Sequence, residues 1–260
     1  MALAAAPSAL ESPVPLRRLI RRFLPRRRHP LLDAEITAAP RDSENRARYR
    51  RAVESEADVF VTQRYEEGCR WREVVRHYGA ARRVLDVGGG NGAIELAFAA
   101  DPAAVVVSVD ALWNDVARVL GVRRVVADGA MLPFRGGVFD AVLCLETIEH
   151  LARPREVVGE IARVAARESI VLVTTPPKWR YALRPDPHFG IRALTLWPPR
   201  VQRAIAARRG FADAHHYVDR IYASVGQLRR VFRELAHVET LSRSRAPRRW
   251  FWDALVFRKR

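Results

Sequence analysis

Apolar and polar positions alternate along this chain in two different periods, and the switch between them predicts its elements. Val59, Phe60, Tyr65, Trp71, Val74, Val75 and Tyr78 are spaced to give one apolar face, which predicts a helix from Val59 to His77. In Arg83–Val87 the apolar Val84, Leu85 and Val87 surround Asp86, as in a short strand buried on both faces of a parallel sheet. A turn with Gly88, Gly90 and Gly92 follows, and Ile94, Leu96, Ala97 and Phe98 then open a helix. Further strands are predicted at Ala104–Asp110, Val122–Ala127, Phe139–Leu145, Ser169–Thr175, His237–Ser242 and Asp253–Arg258. Helices are predicted at Ala111–Leu120, Pro154–Ala166 and Gly226–Leu235, with Pro154 suited to a first helical position. Strands alternating with helices imply an α/β fold: a mostly parallel sheet with helices on both faces.

Two stretches break this rhythm. Residues 1–58 form a basic N-terminal extension and linker, in which 38–58 is polar and reads as linker or exposed helix; 59–260 is the predicted domain. Within it, residues 176–220 hold six prolines and the aromatics Trp179, Tyr181, Phe189, Trp197, Phe211 and Tyr217. An insertion of that kind after the fifth strand is expected to cap the site and touch the substrate.

Charge sharpens the division. The formal net charge is +16, carried by arginine with Lys178 and Lys259 as the only lysines. Residues 1–30 contribute +6 and residues 241–260 another +6, so the intervening 210 residues carry only +4. Leu16, Leu19, Ile20, Phe23 and Leu24 interleave with arginines, and Arg26–Arg28 follow. Residues 16–28 therefore suit peripheral contact with an anionic membrane or a partner, or else a solvated tail. The arginine-rich, acid-poor start also fits a transit peptide. Cys69 and Cys144 provide no disulfide framework, which fits a reducing, cytoplasmic setting, and no apolar run approaches the ~20 residues of a membrane span.

The candidate chemistry starts at the glycine turn. Glycines between a strand and a helix expose backbone N–H groups to a ligand, since no Cβ holds it away. Asp86-Val87-Gly88-Gly89-Gly90-Asn91-Gly92 resembles motif I of the class I S-adenosylmethionine (SAM) methyltransferases. Gly88, Gly90 and Ala93 also satisfy a dinucleotide fingerprint, so the turn by itself leaves the ligand open. The next three features are similar to the methyltransferase pattern: Asp110 ending the second strand, Asp128-Gly129 ending the third, and Leu132–Leu151 around the fourth.

This resemblance implies a Rossmann-like seven-stranded sheet, mostly parallel, with the last strand antiparallel. It implies SAM as cofactor. Asp86, Gly88, Gly90 and Gly92 would line its cradle, with Asp110 on the ribose hydroxyls, Asp128 and Gly129 at the adenine, Met131 flanking the ring and Glu146 beside them. The residue types agree, because a cationic nucleoside without phosphate calls for acceptors as well as backbone donors.

Glu146-x-x-Glu149-His150 resembles the pattern of metal-assisted O-methyltransferases, namely the ubiquinone-pathway catechol enzymes and the small-RNA 3′-end enzymes. It makes Glu146, Glu149 and His150 candidate ligands for Mg²⁺ or another divalent metal. Glu149, His150 and His188 are equally candidates for handling the acceptor's proton. The expected activity is methyl transfer, chiefly to oxygen of a small-molecule or lipid-linked acceptor. RNA methylation is an alternative suggested by the charge, though nucleic acid fits poorly because that charge lies in the tails. A non-catalytic binding protein on the same fold is another. His215-His216 reads as a surface pair, and Trp250 and Trp252 as packing against the sheet.

Overall fold

The computed structural model of the chain describes residues 43–111, 122–186, 189–210, 222–242 and 252–260, with side chains from Val61 onward. Residues 16–28, the predicted helix at 111–120, His188, His215, His216 and Trp250 lie wholly or largely outside the described residues.

Helix α1 (Ser43–Tyr78) leads into β1 (Arg83–Val87), then α2 (Ala93–Ala99), β2 (Val105–Asp110) and β3 (Arg123–Val126). The chain continues through β4 (Phe139–Leu145), α3 (Pro154–Val164), β5 (Ala165–Thr174), α4 (Pro199–Arg208), α5 (Val225–Val231), β6 (Ala236–Leu241) and β7 (Ala254–Arg258). Among the described residues these strands form one seven-stranded sheet in the order β3-β2-β1-β4-β5-β7-β6. Pairings from β3 through β5 are parallel, and β7 runs antiparallel to both β5 and β6. That is the Rossmann-like α/β sheet expected, with its last strand reversed.

Alternation along the strands sorts residues to two cores. Leu85, Val87, Val109, Val142 and Cys144 pack on one face with Val157 and Ile161 of α3 and Leu228 of α5. Val84, Val106, Ala141 and Leu143 face the other way, against Trp71 and Val75 of α1 and Ile94 and Phe98 of α2. Trp71 and Trp252 are therefore core residues, buried to 4% and 0% exposure. The chain order reverses around β1, which has β2 on one side and β4 on the other, and the carboxyl ends at such a reversal are where sheets of this kind bind ligands.

Two boundaries differ from the periodicity. Helix α1 runs unbroken through residue 58 and begins at Ser43, because a polar, charged segment can extend a helix that its apolar half anchors. Strand β5 starts at Ala165, four residues before the predicted Ser169, and takes residues that the pattern assigns to a helix. Val138 N–H donates to the Val164 carbonyl at 2.8 Å, and Phe139 pairs with Ala165, so ladder pairing with β4 claims them. In the insertion, two short 3-10 turns (Lys178–Tyr181 and Leu194–Leu196) precede α4. No helix among the described residues is long and apolar enough to cross a membrane.

Gly68 sets how closely α1 approaches α2. A Cβ there would lie 2.8 Å from the Ala97 Cβ and 2.9 Å from the Ile94 Cα and carbonyl oxygen, all of it relatively unyielding. Arg72 adds a bond from Nη1 to the Ala97 carbonyl at 2.8 Å. Alanine is the better helix former, yet Gly68→Ala is expected to lower stability by about 1–3 kcal/mol through overpacking. A urea midpoint equal to or above that of wild type would contradict this packing.

Candidate active site

Three consecutive glycines leave β1, and each meets a different surrounding. Gly88 (φ +82°) abuts Thr147 after β4; a Cβ would sit 2.4 Å from its Oγ1 and Cγ2. A Cβ on Gly89 would lie 2.0 Å from Glu95 Oε1 and 2.2 Å from Ser108 Oγ. Gly90 (φ +53°) has nothing within 4 Å of that position, so its Cα faces open space. The first two glycines are demanded by the protein's own packing; the third opens toward a ligand. Gly92 (φ +84°) caps α2 in the left-handed conformation.

The predicted acids take separate places around this turn. Asp110, at the end of β2, accepts from the Gly90 N–H through Oδ2 at 3.0 Å. Asp86 is 2% exposed and lies under the turn rather than at its rim. Burial first, and then Glu95, pushes its carboxyl well above the usual carboxylate range. Asp128 stands on the surface beyond β3, where Oδ1 accepts from Ala130 N–H at 2.9 Å and Oδ2 pairs with Arg153. Gly129 follows it, and Met131 is 76% exposed, an apolar side chain left open beside the turn. This loop is fixed to α3: Glu160 accepts from Leu132 N–H at 2.7 Å, and Arg163 donates to the Leu132 carbonyl at 2.9 Å.

A second set of groups lies after β4. Glu146 has φ +52°, a strained left-handed conformation for a non-glycine residue, held by bonds from its N–H to Thr174 O (3.1 Å) and Oγ1 (3.0 Å). It stays accessible to water, but surrounding protein atoms still raise its carboxyl above the ordinary range. Glu149 is fully buried. Burial, reinforced by Glu146, pushes its carboxyl up to about 8. Thr175 Oγ1 donates to Glu149 Oε2 at 2.9 Å, and His150 Nε2 stands 3.8 Å from Oε1. Tyr181, in the first turn of the insertion, has a phenol raised by burial and by Glu146.

The described residues give the metal reading of Glu146, Glu149 and His150 no support. Among the described residues no group of three or more His, Cys, Asp or Glu is arranged to hold a metal. Glu149 is instead buried, and its Oε2 accepts from Thr175 Oγ1 at 2.9 Å.

The sequence pattern passed over three residues that matter to this geometry. Arg64 of α1 limits the rise of the Asp86, Glu95, Glu146 and Glu149 carboxyls, so one cation acts on all four. Nothing marks it among the other arginines of a charged helix. Glu95 is completely buried in α2, and its place amid Ile94, Leu96, Ala97 and Phe98 is a legible anomaly. Arg124 of β3 donates to the Gly90 carbonyl at 2.5 Å and to Ser108 Oγ at 3.2 Å.

Comparison with known proteins agrees with this geometry. A family model described as a methyltransferase domain matches residues 85–173. A SAM-dependent methyltransferase of Thermotoga maritima superposes with a TM-score of 0.51 at 15% identity, covering 82% of this chain and 95% of that one. One from Aquifex aeolicus gives 0.50 at 14% identity, over 72% of this chain and 88% of its own. The [4+2]-cyclase SpnF gives 0.50 at 18% identity, over 74% and 81%. No curated protein matches the chain by sequence.

Two outcomes follow. Gly90→Ala is expected to cost about 1–2 kcal/mol of stability, from its positive φ alone, while S-adenosylhomocysteine (SAH) binding by calorimetry weakens at least roughly tenfold as the Cβ enters ligand space. For Glu149 the folded carboxyl (about 8) lies above the ordinary 4.5. The folded state therefore holds the extra proton between those values, and stability falls as pH rises through that window. Glu149→Gln does not titrate, so its melting temperature should gain on wild type steadily from pH 4.5 to 8. A constant gap would contradict the raised carboxyl.

Proposed function

We propose, from the premise that this chain is a SAM-dependent methyltransferase carrying its methyltransferase domain on the class I fold, that it methylates an oxygen of a small-molecule or lipid-linked acceptor. The observation that carries this reading is Glu149, a buried carboxyl raised to about 8 beside the end of β4. A hydroxyl is a weak nucleophile while it keeps its proton and must lose it as the bond to carbon forms, whereas a neutral amine is nucleophilic as it stands and loses its proton afterwards. A carboxyl whose pKa is near the working pH is well matched to receive that proton.

The residues fit the cofactor. Open space over Gly90, its N–H held by Asp110, and acceptors at Asp110 and Asp128 suit a cation with ribose hydroxyls and an adenine, without phosphate, while the buried Asp86 supports the turn from beneath. Gly88, Gly92, Gly129, Met131 and Glu146 border the same end of the sheet. SAM supplies a methyl group already activated by the adjoining sulfonium charge. The chain's task is then to orient the acceptor and receive its proton. Glu149 is the proposed base, with Thr175 orienting its carboxyl and His150 next in line toward solvent. Tyr181 and Trp179 from the insertion provide aromatic surface for a cyclic or apolar acceptor; Trp179 is 40% exposed.

The test uses labelled SAM with panels of phenolic, catechol, sugar-hydroxyl and amine acceptors. Label transferred to hydroxyl acceptors is expected, and transfer confined to amines would overturn the oxygen assignment. Glu149→Gln should lower turnover at least roughly 100-fold while SAH affinity changes less than about twofold. Equal losses in both would remove Glu149 from the proton-transfer step.

A further inference from the structure

Asp86, Ser108 and Arg124 stand side by side on three neighbouring parallel strands. The register pairs Asp86 with Ser108 and Ser108 with Arg124, so all three point to the same face. Helix α2 covers that face, and Glu95 comes down onto the row from above: its Oε1 and Ser108 Oγ are the atoms a Cβ on Gly89 would strike. Two buried carboxyls and a buried hydroxyl thus meet the half-buried guanidinium of Arg124 beneath the glycine turn. Asp86 Oδ1 and Arg124 Nε and Nη1 are buried with no hydrogen-bond partner, and Ser108 is the hydroxyl that Glu95 meets. Such groups are costly unless their charges offset one another. Arg124 lowers both carboxyls, whereas burial raises them.

We infer that Arg124 is a positioning residue for the cofactor, anchoring the Gly90 peptide from below while Glu95 balances its buried charge. The anchoring is direct. Arg124 Nη2 donates to the Gly90 carbonyl, and the N–H of the same residue donates to Asp110. Gly90 is the turn residue whose Cα faces open space, so its orientation sets both the floor of the ligand's cradle and the aim of Asp110. The sheet thereby transmits position from β3, across β2, to a loop that leaves β1. Glu95 has a different task. Removing the guanidinium alone would strand an anion in the interior, while removing both charges would not.

This inference rests on the reading of the turn as a SAM cradle, and the two can fail separately. The experiment compares full-length wild type, Arg124→Met and the double variant Arg124→Met/Glu95→Gln, by thermal unfolding and by calorimetry with SAH. Arg124→Met is expected to melt several degrees lower, and the double variant to recover at least half of that loss. SAH affinity of the recovered double variant should nevertheless stay at least roughly tenfold weaker than wild type, the size of a lost charge-assisted hydrogen bond. A purely structural role predicts that affinity returns with stability. A double variant that binds SAH like wild type overturns the anchoring role, and one no more stable than Arg124→Met overturns the charge balance. A wild-type chain that ignores SAH overturns the cofactor reading, and the anchoring role falls with it.

Discussion

The close fit of the Gly88–Gly90 turn into its surroundings is the constraint on which the rest of the site depends. Gly88 fills the gap beside Thr147, which ties the β1 turn to the β4 turn across the point where strand order reverses. Its N–H donates to the Val109 carbonyl at 2.7 Å, tying it to β2 as well. Gly89 leaves room for Glu95 and Ser108. With those two positions fixed by steric exclusion, Gly90 is delivered to the open end of the sheet with both its N–H and its carbonyl bonded. Rigid support of this sort is what lets a loop, rather than a regular element, define a binding site.

The electrostatics run against the chain's overall sign. A protein of net charge +16 concentrates buried carboxyls where its strands end: Asp86, Glu95 and Glu149. Burial raises each of them, and a few arginines, chiefly Arg64 and Arg124, limit the rise. A site prepared for a cationic nucleoside has reason to hold acids that neither pair off completely nor ionise freely. Among the described residues, Arg83 stays at the surface, bonded to Asp140 at the start of β1. Such exposed pairs add little to stability.

Architecture alone does not fix the chemistry. The same sheet order superposes on two SAM-dependent methyltransferases and on a [4+2]-cyclase, all below 20% identity. Individual groups near the ends of β4 and β5 carry the specificity instead, above all Glu149, whose carboxyl burial pushes up to about 8. A strained backbone at Glu146, one turn before it, marks the same corner as functionally constrained.

The strands, the glycine turn and the order of the acids were legible in the sequence because each depends on local rules. Alternation identifies strands such as Phe139–Leu145, which the structure reproduces to the residue, and positive φ favours glycine, as at Gly88, Gly90 and Gly92. Helix ends were less legible where ladder pairing intervened, as when β4 drew Ala165 into β5. The metal set was proposed from spacing, and spacing does not show that Glu149 turns inward to Thr175. Nor does it reveal Arg64 or Arg124, whose roles come from residues distant in the chain. Sequence by itself determined which residue types could occupy each turn and strand, since those limits are steric and local. Only the tertiary structure decided which charges share a buried volume, because electrostatic cost depends on burial and on neighbours that strand register and helix packing bring together.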